Sequence, residues 1–406
     1  MLREKDIKLI VAVLVVYLTG LSLYYPLTEL YEEELPPASM YISSFTLPEN
    51  PPGNMTITSS LEAAGDYLLR HMRDTGKFTY LFNAETGSSG SGYNNLRHAG
   101  TAYSMVLIFK YTGKERFFNG SVKAVEYLFN SALVYERWNG TEVAYIRSGT
   151  SIKLGGAALT LLAVSELFNV SSCPYTRQRD GLASFIRGMQ KDDGSFRCYY
   201  KKDEDKHSDY YPGEALLALA KVHHETGDES VKQVLLKGLS FYNEYYAKGR
   251  YTAYTPWATE AMLYALNRGD NESTTDLCFR MALSCMRGQN KVPIDGDQRT
   301  IGGFGSEPKA NAASRIEGVV DSYMIARRSG RGDMLALFNS SMTLCAGFLL
   351  GLQVTDAEVQ DGTYSSSSLG GFVNSHRDPW IRIDYVQHAV VVLAKIMVYR
   401  GSTEHV

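Results

Sequence analysis

Two stretches of this chain are near copies that carry acids, arginines and a histidine at helical spacing. In one, Arg315-Ile316-Glu317 is followed four residues past the acid by Asp321; in the other, Arg382-Ile383-Asp384-Tyr385 is followed by His388. Each comes after a Gly-Gly-Phe turn, Gly302-Gly303-Phe304 or Gly370-Gly371-Phe372. Residues i and i+4 share a helix face, so the spacing pairs Glu317 with Asp321 and Asp384 with His388. A carboxylate beside an imidazole or a second acid has its pKa moved, which general acid–base work requires. The competing explanation is an Arg–carboxylate clasp repeated by duplication, and it is expected to account for at least one copy.

Three other places hold similar residues. Tyr93-Asn94-Asn95-Leu96-Arg97-His98 follows a Gly/Ser loop, Gly87 to Gly92. There Arg97 suits a two-pronged bond to a carboxylate, and His98 suits proton transfer near neutral pH. Asp209-Tyr210-Tyr211-Pro212-Gly213-Glu214 puts Glu214 in a first helical turn, where capping is one use for it and acid catalysis another. Tyr210 and Tyr211 add stacking faces for sugar rings. Tyr254-Thr255-Pro256-Trp257 offers an aromatic platform that a hydrophobic core would use equally well. The catalytic candidates are therefore His98, Glu214, Glu317, Asp384 and His388. The binding candidates are Tyr93, Arg97, Tyr210, Tyr211, Trp257, Arg315, Asp321, Arg382 and Tyr385. No cofactor motif and no metal-ligand spacing occurs. The five cysteines form no C-x-x-C pair, and Cys278 and Cys285 read as small buried groups on one helix face.

The elements that must position these residues alternate. One set of helices has a charged face: Leu61–Arg73, Arg116–Asn130, Arg177–Gln190, Ser230–Tyr246, Thr275–Gln289 and Met334–Gln353. The other is rich in Ala and Leu: Ala99–Tyr111, Gly156–Phe168, Gly213–His224, Pro256–Asn267, Ile316–Arg327 and Ile383–Tyr399. Strand signals read as weak, so no hairpin is expected. Six of each in strict alternation predicts an all-α double ring over residues 59–400, with the small-residue set inside. The candidate residues then sit where the chain enters the inner helices. An open solenoid would use shorter repeats than the spacing of about 40 to 70 residues between inner helices.

A second periodicity accompanies the helices. Gln190 leads to Asp193-Gly194-Ser195-Phe196, Gln289 to Gly302-Gly303-Phe304, and Gln353 to Asp361-Gly362-Thr363-Tyr364 and then Gly370-Gly371-Phe372. These marks resemble the Q-x-x-D-G-S-F repeats of terpenoid cyclase and prenyltransferase toroids, and turns of six-hairpin (α/α)6 carbohydrate-active enzymes. The resemblance covers residues 59 to 399 and implies an α/α toroid. It does not carry over isoprenoid chemistry, because the chain has no D-x-D-D motif and no Asp, Cys and His set matching the prenyltransferase zinc ligands.

Before the toroid, Leu9 to Tyr25 is free of charge and ends at Pro26. About 17 residues at 1.5 Å each give roughly 25 Å, enough for a short membrane span. Arg3, Lys5 and Lys8 precede it and Glu29, Glu32, Glu33 and Glu34 follow. That asymmetry predicts a cytoplasmic segment 1–8, an anchor 9–25, an extracytoplasmic stalk 26–58, the toroid outside and a tail 401–406. A cleaved signal peptide is the rival, and it also exports the toroid. Sequons at Asn54, Asn119, Asn139, Asn169, Asn271 and Asn339 are compatible with export. A net charge of −3 argues against nucleic acid as a partner. The expected partner is a cell-surface or extracellular glycan, met by a hydrolase, a lyase or a uronate epimerase. The alternatives are a non-catalytic toroid that binds glycan or protein, and a terpenoid cyclase-like enzyme.

Overall fold

The computed structural model describes residues 57–401 apart from 203, 205, 247–252 and 266–271. The proposed anchor, nearly all of the stalk and the tail beyond 401 lie outside the described residues. Thirteen α-helices appear among the described residues, and twelve of them fall where the alternation puts them.

The outer helices are α1 (Ile57–Arg70), α3 (Glu115–Ser131), α5 (Thr176–Gly188), α7 (Glu229–Tyr246), α9 (Glu272–Met286) and α11 (Gly332–Leu352). The inner helices are α2 (Asn95–Thr112), α4 (Leu154–Val170), α6 (Tyr211–Thr226), α8 (Thr255–Ala265), α10 (Ala312–Arg328) and α13 (Ile383–Gly401). A short α12 (Asp356–Gln360) follows α11, with a capping box between Thr355 and Glu358. Each inner helix packs on the next, and α13 packs on α2, so the inner ring closes.

Composition explains the two circles. Along α4, Leu154 to Leu167 is buried without a break, whereas α3 buries only a stripe that includes Phe117, Ala124, Val125 and Leu128. Glycines let inner helices crowd where they begin. A Cβ on Gly155 of α4 would lie 2.3 Å from Glu214 Oε2 and 2.5 Å from the Tyr211 ring of α6.

The glutamine repeat lashes neighbouring outer helices together. The backbones of Gln190 and Phe196, Gln289 and Phe304, and Gln353 and Phe372 pair as isolated bridges. The glutamine side chain then reaches the next outer helix: Gln190 Nε2 donates to the Val234 carbonyl at 2.9 Å and Gln289 Nε2 to the Ser341 carbonyl at 3.1 Å. Gln353 Nε2 donates to the Ser60 carbonyl at 2.9 Å, which joins α11 to α1 and closes the outer circle. In this turn Gly370 sits at φ 82°, and a Cβ there would meet the Ala63 carbonyl oxygen at 2.1 Å.

The expectation of no hairpin is wrong. β2 (Leu133–Trp138) and β3 (Thr141–Ser148) pair antiparallel and end on Trp138 opposite Thr141, and β4 (Ser151–Ile152) adds a short third strand. The two residues between are Asn139 at φ 48° and Gly140 at φ 81°, the left-handed pair that a tight hairpin turn demands. The signal was present in the sequence. β1 (Leu81–Asn83) pairs with β5 (Trp380–Arg382), tying the approach to α2 to the approach to α13. All five cysteines are free thiols, with Cys278 and Cys285 buried.

Candidate functional site

A cavity of about 700 Å³ opens where the inner helices begin. All six contribute to its wall: Arg97 from α2, Leu159 from α4, Tyr211 and Glu214 from α6, Trp257 from α8, Arg315 from α10, and Asp384, Gln387 and His388 from α13. Tyr210, Ser284, Cys285 and Arg287 complete much of the rim. Ring closure thus brings residues nearly 300 positions apart to one place.

Charges in and behind the wall pair across helices, not along them. His388 Nδ1 donates to Glu317 Oε1 at 2.6 Å, from α13 to α10. His388 Nε2 is left without a hydrogen-bond partner among the described residues, while its ring meets the Trp257 ring edge-on at 6.3 Å. Burial works to lower the imidazole pKa, but the charge and hydrogen bond of Glu317, with the Asp384 charge, together outweigh it and the net shift is upward. Asp384 is held twice: Arg382 bonds both its oxygens at 2.5 and 2.9 Å, and Arg97 Nε lies 3.1 Å from Oδ2. Arg97 also donates to the Tyr80 hydroxyl.

Glu214 is the odd group out. It is 5% exposed, and its Oε2 is buried with no hydrogen-bond partner. Burial, with the Asp209 charge behind it, pushes its carboxyl well above the usual range and favours the protonated acid. Tyr210, close by, is pushed up to about 12, first by burial and then by Asp209.

Several sequence-based assignments need correction. His98 is fully buried; its Nε2 donates to the Ala124 carbonyl at 2.8 Å and its Nδ1 accepts from the Tyr93 hydroxyl at 2.5 Å. With both nitrogens committed and burial lowering its pKa to about 4, His98 pins α2 to α3 and lies outside the cavity wall. Tyr93 goes with it. Arg382 stacks on Tyr385 at 4.4 Å, and this pair braces Asp384 from outside the cavity wall. Asp321 lies deeper, 3.0 Å from Lys395 Nζ, and Glu317 stands behind His388, outside the cavity wall. The vertical pairs Glu317–Asp321 and Asp384–His388 are therefore replaced by Glu317–His388, Asp321–Lys395 and Asp384 with its arginines.

The sequence reading missed what lies below the cavity. Lys395 Nζ bridges Asp321 and Glu260 Oε2 (2.8 Å), and Lys221 Nζ bridges Glu260 Oε1 (2.8 Å) and Glu166 Oε1 (2.6 Å). Lys110 approaches the other Glu166 oxygen at 3.6 Å. Each of the six inner helices contributes one charge to this ladder. The local hint was slight: α4 and α8 each carry a single charged residue, Glu166 and Glu260.

No known protein family matches the sequence, and no characterised protein does. Solved structures do match. An alpha-1,6-mannanase from Salegentibacter sp. HEL1_6 is 12% identical, with 84% of this chain and 99% of that chain covered and a TM-score of 0.59. The cellobiose 2-epimerase from Bacillus thermoamylovorans B4167 is 10% identical, covering 84% and 98%, with a TM-score of 0.62. A D-mannose isomerase is 10% identical, covering 87% and 99%, with a TM-score of 0.61. Such identities speak to architecture: this chain has the (α/α)6 six-hairpin toroid fold that these sugar enzymes share.

Proposed function

We propose that the chain is a glycan-active enzyme whose cavity moves a proton at a sugar carbon next to a carbonyl or carboxylate, as an epimerase or lyase does. The observation that carries this is His388, backed by Glu317, with Nε2 open beside Trp257. In this reading Nε2 takes the proton from carbon, and the C–H electron pair moves toward the adjacent oxygen. Glu317 steadies the imidazolium, the Arg97 guanidinium faces the developing negative charge, and the neutral Glu214 carboxyl supplies a proton. Hydrolysis needs a second carboxylate free to activate water or attack, and both Asp384 oxygens are taken by arginines. Incubating the full-length chain in D2O with neutral and acidic oligosaccharides tests the proposal. Deuterium entering a ring carbon, or an unsaturated product, is expected; new reducing ends without either would sink it in favour of a hydrolase using Glu214 as its acid.

We also propose that the toroid stands outside the cytoplasm on a membrane anchor. The support is the uncharged run 9–25 with Arg3, Lys5 and Lys8 before it and a cluster of glutamates after it. In sealed, right-side-out vesicles, added protease should digest the toroid. Protection of the toroid would overturn this topology.

A further inference from the structure

Resting on the cavity as the sugar site, we infer that the sugar it takes is anionic, carrying a carboxylate that pairs with Arg315. The guanidiniums of Arg97 and Arg315 line the cavity. Among the described residues few acids stand against them. Asp384 is shared between Arg97 and Arg382, and Glu317 is bonded to His388. Asp209 lies near Glu214 and tempers the excess without cancelling it. The excess is local, because the whole chain carries a net charge of −3.

Arg315 is held ready for a ligand. Its guanidinium lies 4.1 Å from the centre of the Phe304 ring and donates to the Arg287 carbonyl at 3.1 Å. Those contacts orient the planar fork and leave its charge unmatched among the described residues, where no carboxylate bonds to it. A fixed fork is the group that reads a carboxylate by two parallel bonds.

Glu214 supplies an independent sign. Among the described residues no hydrogen-bond donor reaches its buried Oε2, and burial disfavours a bare carboxylate there. A neutral carboxyl does not repel an anion, and its O–H can donate to one. The cavity thus withholds negative charge on the wall where a neutral sugar would have no need of it.

Calorimetric titration of the full-length chain with glucuronate and mannuronate tetrasaccharides tests this, each set against the same tetrasaccharide with its carboxylates reduced to hydroxymethyl groups. At least one uronide should bind about tenfold more tightly than its reduced partner, with the gap narrowing at high salt. Arg315→Gln, at an exposed position, should erase the gap, and Glu214→Gln, a neutral replacement, should keep it. Equal or tighter binding of the reduced sugars, or no binding of any of the four, overturns the inference. Deuterium uptake into neutral sugars alone would overturn it too while leaving the proton-transfer reading standing.

Discussion

Replacing Lys395 by methionine is expected to destabilise the toroid by about 3–5 kcal/mol, because it strands charge in the centre of the inner ring. Lys395 is 5% exposed, and its ammonium is the only cation bonded to Asp321 among the described residues. Glu260 keeps Lys221 at 2.8 Å, so the damage concentrates on Asp321. Adding Asp321→Leu to Lys395→Met should therefore recover much of the loss, since a buried ion pair replaced by apolar groups is often near neutral. Urea unfolding of the single and double variants measures both effects. A Lys395→Met chain within about 1 kcal/mol of the parent would show that the ladder is not structurally coupled.

The two acids beside Lys395 pull stability in opposite directions with pH. Burial pushes Asp321, which shares one lysine, up to about 7 from its ordinary 3.8. A raised acid contributes stability that is full below 3.8 and is lost as pH rises through about 7. Burial also works against Glu260, but its two lysines prevail and hold it down at about 2 from an ordinary 4.5. Its contribution is full above 4.5 and is lost as pH falls through about 2. The sum of the two is accordingly greatest between 3.8 and 4.5 and declines on either side.

The helices and the turns were legible in the sequence because both are local patterns. An apolar stripe declares an outer helix, unbroken small residues declare an inner one, and Gln190, Gln289 and Gln353 each mark a turn. Asn139-Gly140 was equally local, so the hairpin too was legible in the sequence. Side-chain partners were another matter. Spacing along a helix placed Glu317 over Asp321, yet ring closure offers each acid a closer partner on the next helix, 71 and 74 positions away. The ladder was invisible for the same reason: Glu166, Lys221 and Lys395 share no spacing that a single helix could reveal. Glu214 stood out as a charge at a helix start, but the upward push on its carboxyl comes from burial without a partner for Oε2, which only packing decides.

That cross-helix pairing makes the His388–Glu317 contact the most informative place to cut. His388→Asn should lower the deuterium-uptake rate about a thousandfold, since asparagine fills the position without accepting a proton from carbon. Glu317→Gln should cost about a hundredfold and do something a merely structural role would not. Burial lowers the imidazole pKa, and the charge and hydrogen bond of Glu317 together with the Asp384 charge raise it further, so removing the Glu317 charge leaves burial less opposed. His388 works as a base only when deprotonated, so the rate climbs with pH through its titration, and in Glu317→Gln the climb should move to lower pH. The amide preserves shape, which separates loss of charge from loss of packing. Were the rate to fall with the climb unmoved, or His388→Asn to keep a tenth of the parent rate, His388 would not be the base, and the proton would have to leave through Tyr210 or Tyr211 at the opposite wall.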